Sequence, residues 1–409
     1  MDRRKRIAKV LSEALCGLLI LGCANYASRI REPRSYIEFG RYDAAIEDLK
    51  ALVERDDNDR LLYLMDLGIA YHAAGLYSEA IETFLKADKL AEIKDYTSLS
   101  QEIGSFILND NLKFYQGENF EKVLINTYLA IDYTLAHQWD DALVECRRVN
   151  QKIDRMINEG GLPYERNAFA KYLAATLFEA RGEYNDAFVD YRQLLKWNVD
   201  HRYLAESLLR MSDRLKSSQE LAEYKQEFGK RNYRLDKGQG ELVLILEQGK
   251  SPYKVPYEGF NLIPRFQKNY YSSLSGVLRV GERTAESHPF FDIEQVAIKE
   301  LNDKIGRIMA KKIGGTVAKA VIADQIYQRD KALGILAWIA MRATDQADLR
   351  SWSTLPARLQ LARLVVPAGR HDVSLDRVSL SGHRSVAFQW HNVVVQSGEL
   401  VFLNYRMTD

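Results

Sequence analysis

Cysteine, unbalanced charge and long apolar runs are all scarce in this chain. It has 57 basic and 56 acidic residues, so no global electrostatic field attracts nucleic acid or an acidic lipid surface. We therefore expect no nucleic-acid partner. Two apolar runs, residues 14–22 and 332–341, are nine and ten residues long, whereas a membrane-spanning helix needs about 20. Neither run predicts a transmembrane segment.

The N-terminus carries the most specific local pattern. Basic residues within positions 1–6 precede the apolar run 14–22, and Gly22 stands directly before Cys23. This order is typical of a bacterial lipoprotein signal, which is cleaved before a cysteine that then receives the lipid. The sequence therefore predicts signal cleavage after Gly22 and lipidation of Cys23.

The residues around that cysteine extend the interpretation and also leave an alternative. Ala24, rather than an aspartate, follows the cysteine, which by analogy with enteric sorting rules predicts the outer membrane, facing the periplasm. The alternative is a cytoplasmic protein whose first helix happens to be apolar. Glu13 interrupts the apolar run, and Leu21 is bulkier than the residue usually found at its place.

Removal of the signal would leave Cys146 as the last internal cysteine. A lone thiol forms no intramolecular disulfide, so packing alone must hold the fold, even in an oxidising compartment. Cys146 lies in an apolar helical pattern. We expect a small core residue there, with a reactive nucleophile as the alternative.

A repeat organises the first two thirds of the chain. Residues 61–90 match a tetratricopeptide repeat at nine positions, and weaker copies of its turn and second helix occupy 40–52, 133–149 and 178–194. A closing hairpin is predicted over 203–228. The unequal spacings predict an irregular helical solenoid. The nine matching residues are Leu64, Leu67, Gly68, Tyr71, Gly75, Tyr77, Ala80, Phe84 and Ala87.

Strands are predicted after the glycine-containing segment at residues 237–240. The apolar run 241–247 is typical of a buried strand, residues 251–264 contain three prolines and are predicted as loop, and a helical period begins at Ile293. Alternating patterns then predict a small antiparallel sheet with one face buried. Its strands, with an earlier one at 274–280, are predicted at 359–366, 371–378, 385–395 and 399–406.

Together these patterns predict a mainly α fold in three parts. Residues 1–22 are the signal peptide, and residues 23–236 form a tetratricopeptide-like helical-hairpin solenoid. Residues 237–409 form a small α+β domain with an antiparallel sheet.

No motif for catalysis, metal binding or a cofactor is present. Residues 249–251 read Gly-Lys-Ser after a strand, but the first glycine of a phosphate-binding loop would fall on Leu244. The seven histidines lack the spacing of metal ligands, and no nucleophile elbow occurs. We predict a protein that is not an enzyme and that has no metal and no cofactor.

A polar segment around one tryptophan, residues 348–356, follows the second apolar run. Trp352 either fills the junction between helix and sheet or lies in an exposed loop that binds a partner together with Arg350, since both residue types dominate binding hot spots. Both interpretations remain open at the level of sequence.

Several segments resemble a family of uncharacterised bacterial outer-membrane lipoproteins with tetratricopeptide-like repeats and a C-terminal mixed domain. The resemblance implies a periplasm-facing lipoprotein, no established catalytic residue, and assembly with other envelope lipoproteins. The segments that carry it are residues 121–126, 128–130, 145, 240–244, 248–250, 351–356, 361–363 and 367–369.

We therefore expect a membrane-tethered scaffold for protein–protein interaction, bound to a peptide or protein partner in the envelope. Inner positions of the first repeat helices normally line the partner groove, which predicts contacts from Asn126, Tyr133 and Tyr172. The loop that carries Arg350 and Trp352 is the other candidate contact, and the sequence does not decide between the two. Two alternatives are a cell-wall hydrolase in the C-terminal domain and a membrane-inserting, assembling element at residues 293–341. The sequence does not predict the oligomeric state.

Overall fold

The structure is a computed structural model that describes the chain in seven ranges of residues. Gly22 and Cys23 lie outside them, as does the second apolar run at residues 332–341. The described ranges are 26–55, 57–101, 114–160, 166–229, 231–258, 260–329 and 347–408.

In the described residues, the repeat region contains five consecutive helical hairpins, in which each first helix packs against the helix that follows it. Hairpins also pack on their neighbours in chain order, as in a solenoid. The helices are α1 Tyr26–Glu38, α2 Tyr42–Val53, α3 Arg60–Ala73, α4 Tyr77–Gln101, α5 Asn119–Leu135, α6 Trp139–Gly160, α7 Ala168–Ala180, α8 Tyr184–Lys196, α9 His201–Arg214 and α10 Ser218–Phe228.

Small residues set the spacing within the best-matched hairpin. A Cβ atom added at Gly68 would lie 2.4 Å from the Phe84 ring, so only glycine lets α3 and α4 approach this closely. Gly75, in the turn between them, has φ +75°, a backbone conformation that glycine adopts without strain. Both glycines are positions that the repeat pattern predicts.

The central first helices are buried around their whole circumference. Every residue of α3 from Leu61 to His72 is buried, and so is every residue of α5 from Phe120 to Asp132. A helix buried all round has packed elements on every side. The second helices bury one face only; in α8 the buried residues are Ala187, Phe188, Tyr191 and Leu194.

In the described residues after the hairpins, ten strands and one long helix pack against the repeat or against one another. The first sheet has the strand order β10-β1-β7-β6, the second sheet has β5-β4-β8-β9, and β2 pairs with β3. The elements are β1 Gln239–Gln248, β2 Tyr253–Tyr257, β3 Phe260–Gln267, β4 Ser273–Val280, β5 Arg283–Glu286, β6 His288–Asp292, α11 Ile293–Arg329, β7 Arg358–Pro367, β8 Gly369–Ser379, β9 Arg384–Val395 and β10 Leu400–Met407.

Strand β1 shows how the layers stack. Val243 and Ile245 belong to the hydrophobic core of the repeat helices, whereas the residues that alternate with them, Leu242, Leu244 and Leu246, belong to the core between the two sheets. Side chains alternate along a strand, so the first sheet is the middle of three layers. It lies between the repeat helices and the second sheet.

The structure confirms the mainly α fold with a C-terminal domain of mostly antiparallel strands. Three details of the sequence prediction are wrong. The predicted loop at residues 251–264 contains the β2–β3 hairpin, the strand β1 pairs in parallel with β10, and the first sheet is buried on both faces rather than one. Strands β5 and β6 were not predicted.

Helix α11 lies in the connection between two paired strands, because β6 before it pairs with β7 after it. It packs on β3, α5 and β7. Among the described residues, no helix combines the length and the apolar character that a bilayer-spanning segment requires.

Candidate functional site

The inner surface of the repeat solenoid, where such repeats commonly hold a peptide, is occupied by the chain's own C-terminal sheet. The strands β1, β7 and β10 present polar side chains to this surface between the apolar ones. They meet polar side chains of α3, α5, α7 and α9 in buried clusters. One cluster centres on His72, a second on Arg363 and a third on Asp66.

The His72 cluster joins α3, α5, β1 and β10. The Nδ1 atom of His72 lies 2.5 Å from Asp132 Oδ1, and its Nε2 atom lies 2.7 Å from Glu247 Oε1. The other oxygen of Glu247 accepts hydrogen bonds from Tyr128 Oη at 2.6 Å and from Arg406 Nη1 at 3.1 Å. Two carboxylates thus face two cationic side chains.

Burial and charge act in opposite directions on these groups. Burial by itself would lower the pKa of His72, but Asp132 and Glu247 raise it to about 10. Burial would raise the pKa of Glu247, but His72 and Arg406 hold it at about 2. Burial raises the pKa of Asp132 to about 6, with the His72 charge opposing the rise. His72 is therefore a charged imidazolium near neutral pH.

The Arg363 cluster repeats this balance between β7, β1, α7 and α9. Arg363 donates from Nε to Glu241 Oε1 at 2.8 Å and from Nη2 to Glu241 Oε2 at 2.5 Å, and its Nη1 donates to Glu179 Oε2 at 2.9 Å. Arg210 Nε lies 2.8 Å from the other oxygen of Glu179. Despite burial, Arg210 and Arg363 lower the pKa of Glu179.

The Asp66 cluster is built differently. Asp66 on α3 accepts hydrogen bonds from Tyr26 Oη at 2.8 Å and from Thr354 Oγ1 at 2.7 Å. Glu121 on α5 accepts from Tyr115 Oη at 2.6 Å and from the backbone amides of residues 118 and 352. These donors are uncharged. Burial raises the pKa of Asp66 to about 7 and that of Glu121 to about 7.

Trp352 and Arg350 lie inside this interface rather than in an exposed loop. Trp352 is 1 % exposed, and its ring lies 6.0 Å from Phe84 and 5.9 Å from Tyr128 between centroids. Arg350 is 7 % exposed and donates to Asp59 on the repeat side and to Asp348 beside it. The tryptophan fills the junction between the helices and the sheet.

The predicted groove residues are likewise occupied by the chain itself. Asn126 is fully buried and donates to Glu145 Oε2 at 2.8 Å within its own hairpin. Tyr172 is 3 % exposed, and its ring lies 4.4 Å from that of Phe290 on β6. Tyr133 is partly buried against the repeat core. Asn126 and Tyr172 are thus covered by other parts of the chain, and their contact with a separate partner stays a prediction.

Cys146 is buried in α6, and burial raises its thiol pKa to about 12. Among the described residues it is packed as a core side chain, as the apolar pattern predicted.

The arrangement of these clusters suits the stabilisation of buried charges rather than the conversion of a substrate. His72, Asp132 and Glu247 have side chains with no exposed surface, and both imidazole nitrogens face carboxylates. Within the described ranges, no three His, Cys, Asp or Glu side chains are arranged to bind a metal ion. The hydrolase alternative stays a prediction, since it concerns an activity rather than these buried groups.

Sequence reasoning missed the His72 and Arg363 clusters altogether. The partners of His72 lie 60 and 175 residues away along the chain, and those of Arg363 lie 122 and 184 residues away. One signal was available, because Glu241 and Glu247 flank the apolar run of β1 on the same face as Val243 and Ile245. Acidic residues that alternate onto the buried face of a strand indicate that hydrogen-bond or ion-pair partners are buried with them.

Comparison with known proteins supports the repeat. A family model described as a tetratricopeptide repeat matches residues 62–93, which cover most of α3 and α4. The chain contains a tetratricopeptide repeat. No curated protein matches the sequence.

Two solved structures illustrate the resemblance to repeat proteins. Tetratricopeptide-like repeats from a protein of Podosopora anserina assigned as a kinesin light chain are 18 % identical, with a TM-score of 0.35, over 50 % of this chain and 94 % of that one. MamA from Desulfovibrio magneticus is 15 % identical, with a TM-score of 0.33, over 49 % of this chain and 90 % of that one.

Proposed function

We propose that this chain is a membrane-tethered scaffold for protein–protein interaction in the bacterial cell envelope, anchored to the outer membrane through lipidated Cys23. The observation that carries the proposal is the repeat solenoid with its inner surface already filled by the C-terminal sheet. Because the sheet fills the inner surface, the repeat and the C-terminal domain pack together as one unit. The outer helices are then the surface to which partners bind.

The outer helices carry aliphatic side chains that the fold does not bury. Leu85 on α4, Val144 on α6 and Val189 on α8 are 39 %, 39 % and 63 % exposed. Each lies on a successive second helix of the array. Apolar side chains in a row of neighbouring hairpins are a common basis for protein recognition.

The first experiment tests the tether. Wild-type chain and Cys23→Ala are expressed in bacteria fed labelled palmitate, and the membranes are separated by density. Label on the wild type in the outer membrane, and soluble, unlabelled Cys23→Ala, is the expected result. Unlabelled wild type, or membrane retention of the variant, contradicts the lipid anchor.

The second experiment tests the partner surface. Leu85→Ser, Val144→Ser and Val189→Ser are combined, and chemical crosslinking in cells is compared with the wild type. The matched control combines Lys86→Ser, Arg147→Ser and Arg192→Ser on the same three helices. We expect the apolar triple variant to lose discrete crosslinked species and the control to keep them. Equal crosslinking in all three proteins contradicts this surface, whatever the result for the tether.

A further inference from the structure

A pocket of about 330 Å³ lies where the end of the repeat meets the C-terminal domain. It is lined by α9 on one side and, on the other, by the segment that leads into β1 and by the turn between β9 and β10. The pocket lies next to the Arg363 cluster, since Glu179 and Arg210 contribute to both. None of the predicted binding residues belongs to it.

Positive charge is in excess along this lining. Arg210, Arg214 and Lys237 face Glu179 and Asp236. Glu179 is already neutralised, because it contacts both Arg210 and Arg363. Arg214 lies over the ring of Tyr184, and in the described residues neither it nor Lys237 has a carboxylate within ion-pair distance. Arg214 and Lys237 therefore remain beside the single carboxylate of Asp236, which leaves a surplus of one positive charge.

The uncharged polar groups of the lining are donors as well. The Gln239 Oε1 atom accepts a hydrogen bond from the backbone amide of Asp236 at 3.0 Å, which leaves its NH₂ protons for another acceptor. The Ser397 Oγ atom accepts from the backbone amide of Gly238 at 3.0 Å, which leaves its hydroxyl proton. Together with Arg214 and Lys237, these groups give the pocket a surplus of donors, which suits a ligand that offers acceptors.

Part of the lining is apolar. Leu235, Met211 and Leu400 contribute to it, and Met211 and Leu400 are buried members of the repeat core. An organic body beside the charged group would cover this surface. Small-molecule sites commonly combine such an apolar wall with a few convergent polar groups.

We propose that this pocket binds a small organic oxyanion, a carboxylate or a phosphate ester, through Arg214, Lys237, Gln239 and Ser397. Its organic body packs on Leu235 and Leu400. Guanidinium and ammonium groups share the recognition of both oxyanions, with the guanidinium also able to bind two oxygens at once. The site joins the repeat to the C-terminal domain, so its ligand contacts both regions.

The test is calorimetric titration of the full chain with three probes of similar size. Phenyl phosphate and benzoate carry the two oxyanions, and phenol is the uncharged control. We expect saturable binding of one or both oxyanions, weakened by added salt, with phenol at least tenfold weaker. Which oxyanion binds more tightly distinguishes a phosphate ligand from a carboxylate.

Two double variants provide the matched comparison. Arg214→Gln with Lys237→Gln should weaken oxyanion binding at least tenfold, because charge-assisted hydrogen bonds are lost. Arg370→Gln with Lys196→Gln removes two exposed cations elsewhere and should leave binding unchanged; thermal unfolding verifies that both variants are folded. No saturable binding up to about 10 mM, equal weakening by both doubles, or phenol binding as well as the oxyanions would each overturn the proposal.

Discussion

The His72 cluster and the Asp66 cluster lie in one interface, both buried, and are electrostatically opposite. In the first, Asp132 and Glu247 face the cations His72 and Arg406. In the second, Asp66 accepts its hydrogen bonds from hydroxyl groups. The same depth of burial therefore leads to a retained charge in one cluster and a retained proton in the other. The hydrogen-bond partners, rather than burial alone, decide which.

This contrast has a consequence for stability. Opposite charges inside the His72 cluster compensate each other's loss of hydration, so removing one leaves the others uncompensated. A protonated carboxyl in the Asp66 cluster carries no such dependence, but it must give up its proton at higher pH. Removing a charged group from the His72 cluster should therefore cost more unfolding free energy. The Asp66 cluster should instead make the unfolding free energy depend on pH.

The largest effect is expected from His72→Gln. The substitution leaves Asp132 and Glu247 buried with one cation fewer, and loss of one partner from a buried ion pair costs about 3–5 kcal/mol of unfolding free energy. Urea denaturation at pH 7 measures it. His383→Gln, on an exposed turn residue, is the control and should leave the midpoint unchanged. A loss no larger than that of the control would show that the imidazolium is not the charge that holds Asp132 and Glu247.

A matched pair of hydroxyl deletions compares the clusters directly. Tyr128→Phe removes a donor to ionised Glu247, and Tyr26→Phe removes a donor to protonated Asp66. Hydrogen bonds to charged groups contribute about 1.5–3 kcal/mol and those between neutral groups about 0.5–1.5 kcal/mol. At pH 6 we expect the larger loss of unfolding free energy for Tyr128→Phe. The reverse order would mean that the assigned charge states are wrong.

The next largest effect is a difference between the two clusters in how the unfolding free energy depends on pH. The pKa of Asp66 is raised from 3.8 to about 7, so its contribution is complete below about pH 4 and is lost as pH rises to 7. The pKa of Glu247 is lowered to about 2, so its contribution is complete above about pH 4.5 and is lost as pH falls to 2. Asp66→Asn should flatten the decline between pH 4 and 7 by up to about 1.4 kcal/mol per pH unit.

The measurement is the unfolding free energy in urea at half-unit steps from pH 4 to 8. Because both Tyr26 and Thr354 carry hydroxyls that can accept as well as donate, Asn at position 66 can keep two hydrogen bonds. An unchanged slope in Asp66→Asn would place the proton elsewhere, and Glu121→Gln then tests the neighbouring carboxyl.

The smallest effect is expected at the surface. Lys86 pairs with Glu82 at 2.7 Å on α4, and both side chains are more than half exposed. Exposed pairs contribute little because solvent screens them. Lys86→Gln should therefore leave the urea midpoint within experimental error at pH 7. A measurable loss there would weaken the distinction between buried and exposed charge pairs.

The sequence predicted what depends on neighbours in the chain. Helical hairpins follow from residues three to eleven positions apart, such as Gly68 and Tyr71, and β7 to β10 follow from alternation within each strand. The β2–β3 hairpin was missed because proline normally marks loops. Pro256 lies opposite Pro264 in a pair of strands that, within the described ranges, bonds to no third strand.

What depends on distant partners was out of reach. Nothing near Glu247 indicates that a histidine 175 residues earlier will face it. A charged residue in a single sequence is most often on the surface, and that expectation fails where two layers bury it together. The groove prediction likewise considered the inner helices without the sheet that packs on them, and it stays a prediction.

The pairing of β1 with β10 has a consequence for the order of synthesis. Glu241 aligns with Leu400, so the central strand of the first sheet lacks one neighbour until the final strand has been made. The hairpins of the repeat close from local contacts as each emerges, whereas the sheet closes late. A chain stopped before residue 400 would therefore present a finished solenoid that lacks the cover of β10 over α5.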